Sequence, residues 1–208
     1  MSQTDLKKRV IDLTYKLGLT HLGTCLHAVG IIDNIYKIKA DNEPFILSQG
    51  HAGLALYVVL EKYYGFDAEK LFKKHGTHPN RDLEHKIWCS TGSLGQGMTI
   101  AVGMALADRK RNVYVVTSDG DMAEGCTWEA LRVATDYELE NLRVTVIANG
   151  YTGNKQVDSN LLDLRMQYFY PSLMLRVNTF SYPDWMQGTA AHYEKLTKER
   201  YEEILKCL

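Results

Sequence analysis

Residues 112–121 read Asn112-Val113-Tyr114-Val115-Val116-Thr117-Ser118-Asp119-Gly120-Asp121. The five from Val113 to Thr117 are β-branched or aromatic and do not alternate with charged residues. They therefore describe a strand buried on both faces, the pattern of a parallel sheet and not of an antiparallel one with a wet side. The run stops at four small or acidic residues, and a helix is expected from about Glu124 to Tyr137. A second run of the same kind, residues 143–148 (RVTVIA), stops at Asn149-Gly150. Two-sided runs separated by a helix predict an α/β fold of three layers, a mostly parallel sheet with helices on both faces.

Outward from this unit the chain continues the pattern. Upstream, Ser90-Thr91-Gly92-Ser93-Leu94-Gly95-Gln96-Gly97 opens an Ala/Met/Leu-rich helix through Ala107. Residues 44–48 read as a short buried strand stopping at Gly50, with an apolar helix over 51–64. Leu6, Val10, Leu13 and Leu17 recur at helical spacing up to a break at 18–21, and a second helix is expected over 28–38. Residues 66–88 are polar, hold three histidines and Pro79, and read as a connection with little regular structure. Downstream, a helix is expected over 161–170, a further strand over 173–178 and a charged helix over 195–208. With no repeat, low-complexity tract or linker, residues 1–208 read as one domain.

Bulk composition narrows the function. The formal net charge is -1 and no Lys/Arg block occurs, so the electrostatic footprint of a nucleic-acid binder is missing. The first ten residues are polar, and no later stretch has the roughly 20 apolar residues of a membrane span, so neither nucleic acid nor a membrane is expected as a partner. Cys25, Cys89, Cys126 and Cys207 lack CxxC spacing, which favours reduced thiols and a cytoplasmic setting over disulfides or a zinc site.

In an open parallel sheet, ligands bind beyond the carboxyl ends of the strands. Asp119 and Asn149 fall at two such ends, 149 − 119 = 30 positions apart, the length of one strand-helix-strand step. Two oxygen ligands there suit one hard cation that keeps open positions for phosphate and water. Gly120 allows close backbone approach, and the helix beginning near Glu124 points N–H groups at an anion. These residues predict a magnesium diphosphate site.

The same residues resemble the thiamine diphosphate motif, which in most members runs from Gly-Asp-Gly to Asn-Asn or Asn-Gly. Four further motifs, in order, resemble those of the transketolase family. His21-Leu22-Gly23 is similar to His-Pro-Gly, Ser48-Gln49-Gly50-His51-Ala52 to Ser-Lys-Gly-His-Ala, and Thr77-His78-Pro79 to Gly-His-Pro. Thr91-Gly92-Ser93-Leu94-Gly95-Gln96-Gly97 matches the family's sequence in full, and residues 119–125 (DGDMAEG) end in its Glu-Gly. The likeness covers most of residues 17–152.

The resemblance implies thiamine diphosphate with Mg2+, or another divalent cation such as Ca2+ or Mn2+. The Asp119 and Asn149 side chains and the Tyr151 carbonyl would hold the ion. Gly120 and Asp121 would lie at the diphosphate, and Gly92 and Leu94 along the cofactor's rings. Glu124 would meet the activating glutamate of a partner domain. His51 would lie by the diphosphate and the reacting centre, His21 and His78 would face sugar hydroxyls, and His192 would be a further active-site histidine. Histidines titrate near neutral pH and suit proton relay in ketol transfer from a ketose to an aldehyde. Full members also carry a pyrimidine-binding domain, so the resemblance implies that a separate subunit supplies it, in an assembly with two copies of each chain.

Three departures stand out. Ser118 replaces the motif's first glycine, Leu22 replaces proline, and the segment after Asn149 is shorter than in most members. Competing readings are a 1-deoxyketose synthase, the α subunit of a 2-oxo acid dehydrogenase, and a non-catalytic cofactor-binding relic. The motifs at 48–52 and 91–97 disfavour the dehydrogenase, and the retained ligands and histidines disfavour the relic. Taken singly, Asp119 could be a helix cap and Asn149-Gly150 a plain turn. Gly92 to Gly97 could serve helix-sheet packing alone. Trp88 and Trp128 read as core, and Tyr168-Phe169-Tyr170 as packing or subunit contact.

Overall fold

The computed structural model describes residues 1–153, 155–170, 174–177 and 183–208. In chain order the helices and strands are α1 (Gln3–Leu17), α2 (Leu22–Ile38), β1 (Phe45–Leu47), α3 (Gly53–Tyr64), α4 (Ala68–His75), α5 (Gln96–Ala107), β2 (Val113–Ser118), α6 (Gly125–Asp136), β3 (Leu142–Ala148), α7 (Ser159–Phe169), β4 (Met174–Val177) and α8 (Lys198–Leu205). They fall into two compact units: a sheet unit of residues 38–50 and 78–178, and a helical unit of residues 1–37, 51–77 and 179–208.

The sheet unit holds four parallel strands in the order β1-β2-β3-β4. Ile46, Val113, Val115, Leu142, Val144 and Val146 project to one face and form a single core with residues of α5, α6 and α7. The residues pointing the other way, among them Phe45, Leu47, Val116 and Ile147, are buried as well. Beyond Tyr114 and Arg143 at their starts, neither face of β2 or β3 is open to water, which is why these strands carry no polar alternation. Each fully buried valine contributes about 1.5–3 kcal/mol of hydrophobic stabilisation. Trp88 and Trp128 are half-buried against this core, as expected. Of the aromatic triplet, Tyr170 is buried, its hydroxyl donating to the Leu139 and Leu142 carbonyls, while Tyr168 is 88% exposed. Phe169 meets the Trp128 ring edge-on.

In the helical unit, α1 buries the Leu6, Val10 and Leu13 stripe read from the sequence. It starts on a Ser2–Asp5 capping box and ends at Gly18, whose left-handed backbone (φ 62°) closes the last turn. Arg9 binds Glu61 through two hydrogen bonds of 2.9 Å. Asp33 is fully buried and receives Lys62 at 2.5 Å, Lys37 at 2.8 Å and the Tyr63 hydroxyl. Without those donors, burying the carboxylate would cost several kcal/mol.

The stretch 66–88 is not irregular throughout, because α4 occupies Ala68–His75. Asp67 caps it, Ala68 and Leu71 are buried beneath it, and Gly76 ends it. The helix is short and mostly charged, so its apolar periodicity has only two buried positions to show. Helix α2 also begins earlier than expected, at Leu22, while the strand expected at 173–178 is seen at Met174–Val177, with 173 and 178 outside the described residues.

Candidate functional site

The two motifs richest in glycine meet backbone to backbone at the carboxyl end of the sheet. A Cβ placed on Gly50 would lie 2.6 Å from the Gly92 nitrogen, and one on Gly97 would lie 2.6 Å from the Ser48 Cα. No other residue fits at either position without moving a main chain. Gly92 itself has φ 143°, and a Cβ there would strike the His78 ring at 3.0 Å. The Thr91 N–H donates to the Pro79 carbonyl, so Pro79 and the 91–97 segment are joined by a main-chain bond as well.

Asp121 is the knot of this assembly. Its carboxylate is fully buried and accepts the Ser48 hydroxyl at 2.8 Å, the Gly95 N–H at 2.8 Å, and the Ser118 N–H and hydroxyl at 3.0 and 2.9 Å. The ends of β1 and β2 and the start of α5 are thereby tied to one side chain. The carboxylate has no lone pair to spare for a ligand, so a part for Asp121 at a cofactor runs through the loops it holds. Ser118, the substituted position, strengthens the turn: its hydroxyl also accepts the Asp121 N–H at 3.2 Å. Ser48 and Ser118 are working residues that the motifs do not single out for a role. For Ser118 the signal in the sequence was a hydroxyl three residues before Asp121; for Ser48, 73 residues away, there was none.

Asp119 and Asn149 stand at the tips of neighbouring strands. Asp119 is 4% exposed; its Oδ1 accepts the Gly120 N–H at 3.0 Å, and its Oδ2 accepts the N–H groups of Asn149, Gly150 and Tyr151 at 3.0, 3.0 and 3.2 Å. Asn149 Oδ1 accepts the same Tyr151 N–H at 2.9 Å. Burial pushes the Asp119 carboxyl up to about 6, against the pull of those four N–H groups. A buried carboxylate whose polar neighbours are amides, with an amide oxygen beside it, is a donor set fitted to a hard divalent cation. Because Oδ2 already takes three N–H groups, sharing it with an ion requires the 149–151 turn to release at least one. Among the described residues there is no cluster of three His, Cys, Asp or Glu side chains that could hold a metal.

Gly120 and Leu94 are neighbours, a Cβ on Gly120 lying 3.7 Å from Leu94 Cδ1. Glu124 is exposed at the N-cap of α6. Beside Asp119 lies a cavity of about 510 Å³ whose walls include Met122, Trp128, Thr152, Lys155 and Arg165.

The helical unit brings three of the four expected histidines together. The His21 ring lies 5.3 Å from that of His51 and 6.3 Å from that of His192, with Tyr193 5.6 Å away. His21 has a left-handed backbone (φ 62°), unusual for a residue with a side chain, and its N–H donates to the His192 carbonyl at 2.8 Å. Its Nδ1 meets the Thr20 hydroxyl at 2.9 Å. The His192 Nδ1 lies 3.1 Å from the Thr189 carbonyl. A carbonyl only accepts, so Nδ1 carries the hydrogen and the neutral ring keeps its lone pair on Nε2. His78, exposed, belongs to the sheet unit and rests against Gly92.

Comparison with known proteins decides the family. Residues 15–169 match the family described as transketolase, thiamine diphosphate binding domain. The chain belongs to the transketolase family. Among curated relatives, this transketolase domain is 32% identical over 142 residues to one of the subunits that make up the apulose-4-phosphate transketolase of Actinobacillus succinogenes, covering 59% of this chain and 51% of that protein. It is 33% identical over 157 residues to the 6-deoxy-6-sulfo-D-fructose transketolase subunit SqwG of Clostridium sp. (strain MSTE9), covering 66% and 57%. The chain thus spans about half the length of these relatives. Transketolase structures share its fold: that from Leishmania mexicana superposes with a TM-score of 0.62 at 21% identity, over 80% of this chain and 31% of that one. A Pichia stipitis transketolase variant gives 0.67 at 22% identity, over 80% and 30%.

Proposed function

We propose that this chain is the diphosphate-binding subunit of a transketolase-like enzyme, moving a two-carbon ketol unit from a phosphorylated or activated ketose to an aldehyde. The observation that carries the reading is the convergence of Asp119 and Asn149 oxygens on one N–H at the tips of β2 and β3, with Gly120 and Leu94 adjacent. In this reading Asp119, Asn149 and the Tyr151 carbonyl hold Mg2+, Gly120 faces the diphosphate, and Gly92 and Leu94 line the rings. Thiamine diphosphate, when bound, supplies the nucleophilic carbon and the electron sink. The protein's own task is to orient it and to hold and move protons: His51, His21 and His192 are grouped for that work, and His78 is assigned to a sugar hydroxyl. His192 Nε2 is a proton acceptor in the tautomer its Thr189 contact selects.

A separate pyrimidine-domain subunit is part of the proposal, in a heterotetramer of two copies of each chain. Its support is that two of the relatives are named as subunits of transketolases, and that Glu124 is exposed where a partner's glutamate could reach it. All four cysteines are free, which supports a cytoplasmic setting. No helix among the described residues is long and apolar enough to cross a membrane.

The test is to purify the chain with its pull-down partner and assay transfer from ketose donors beside pyruvate. Ketol transfer that needs both chains is expected. Full activity of the chain alone would remove the partner, and activity on pyruvate would replace ketol transfer with 1-deoxyketose synthesis.

A further inference from the structure

Helix α8 contacts the segment that carries His192. The segment that carries His192 runs from the 3₁₀ turn Asp184–Met186 through the 3₁₀ turn Ala190–Tyr193, and His192 lies in the second turn. Arg200 of α8 touches both ends of it: the guanidinium lies 4.9 Å over the Trp185 ring, and it pairs with Glu194 immediately beyond the second turn. Glu203, one turn further along α8, accepts the Trp185 indole N–H at 2.9 Å. Helix α8 is in turn fixed to α1, because Tyr201 donates to Asp12 at 2.8 Å and stacks on Tyr15 at 4.5 Å between centroids.

That segment reaches His21 directly. The His192 carbonyl accepts the His21 N–H at 2.8 Å, and Met186 Cε lies 3.7 Å from where a Gly23 Cβ would stand, over the first turn of α2. A left-handed backbone at a non-glycine residue costs about 1–3 kcal/mol and persists only where its surroundings impose it. At His21 the His192 carbonyl is one of those surroundings.

We propose that Arg200 is a positioning residue: by clasping Trp185 and Glu194 it fixes the His192 main chain, and through that carbonyl it holds His21 in its left-handed conformation beside His51. The inference rests on the ketol-transfer reading only for what the histidines do, not for where they are. Arg200 touches no reacting atom and acts through the histidines alone.

The experiment uses the full chain labelled with 15N-histidine, and then the same chain with its partner. Arg200→Ala is expected to move the side-chain resonances of His21 and His192 and to lower kcat by about tenfold, since displacements of about 1 Å carry losses up to a hundredfold. Arg200→Lys should restore most of the rate. Binding of thiamine diphosphate with Mg2+ should stay within about twofold in both, because Asp119 and Asn149 are untouched. Trp185→Phe, which keeps the ring but loses the bond to Glu203, provides a second probe and should shift the same two resonances less. Unchanged histidine resonances in a folded Arg200→Ala chain would overturn the proposal. Shifted resonances in a pair whose wild type shows no ketol transfer would leave the positioning intact and remove the ketol-transfer reading instead.

Discussion

Asp119 and Asn149 share a donor: Asp119 Oδ2 and Asn149 Oδ1 both accept the Tyr151 main-chain N–H, at 3.2 and 2.9 Å. The two oxygens therefore lie no further apart than the sum of those distances, across a turn made of the residues that follow β3. The four N–H groups around the Asp119 carboxylate are neutral dipoles and weak counter-charges for a buried anion, and a divalent ion is a strong one. That difference is the physical reason to read the pair as ligands and not as a cap and a turn.

Ser118 gives a test of the knot beneath the site. Ser118→Gly restores the residue most thiamine diphosphate motifs carry, yet it removes the hydroxyl that donates to Asp121 and accepts its N–H. The expected cost is about 1–2 kcal/mol, a fall in Tm of about 2–8 °C by calorimetry. An unchanged or higher Tm would show that the hydroxyl is idle.

Asp33 sets a pH dependence. Burial raises its carboxyl, but the donors Lys37, Lys62 and Tyr63 outweigh that and hold it below the usual carboxylate range. A carboxyl whose folded pKa is depressed stabilises the fold above its unfolded pKa, near 4, and loses that contribution as pH falls through the folded value. Asp33→Asn should therefore cost about 3 kcal/mol at pH 7, with Lys62 left poorly paired, and progressively less below about pH 4. Urea melts at pH 7 and pH 3 measure it; an equal cost at both would contradict the assignment.

The sheet was legible because its strands are buried on both faces, so Val113 to Thr117 and Val144 to Ala148 could be nothing else. The site was legible where glycines are sterically compelled, as at Gly50 and Gly97, each of which faces another main chain at 2.6 Å. Helix α4 escaped notice because charge dominates its eight residues. The inward turn of Asp121 escaped notice because its partners, Ser48 and Gly95, are distant in sequence and carry no periodic signal. His192 joins His21 and His51 through a main-chain carbonyl, a contact that residue identity does not encode.

Glu124 separates the partner's role from the fold's. Its side chain is exposed and makes no capping bond to α6. Glu124→Ala should leave the chain's stability within about 0.5 kcal/mol. Ketol transfer by the reconstituted pair should fall by about a hundredfold or more, the range of an acid-base contribution. Activity equal to wild type would remove Glu124 from the junction.

The central claim is the ion between β2 and β3, and a Mn2+ titration followed by electron paramagnetic resonance, with thiamine diphosphate present, tests it most directly. The wild-type chain, with its partner, should take up one Mn2+ per chain, and Asp119→Ala should take up none over the same range. Equal uptake by Asp119→Ala would contradict the account.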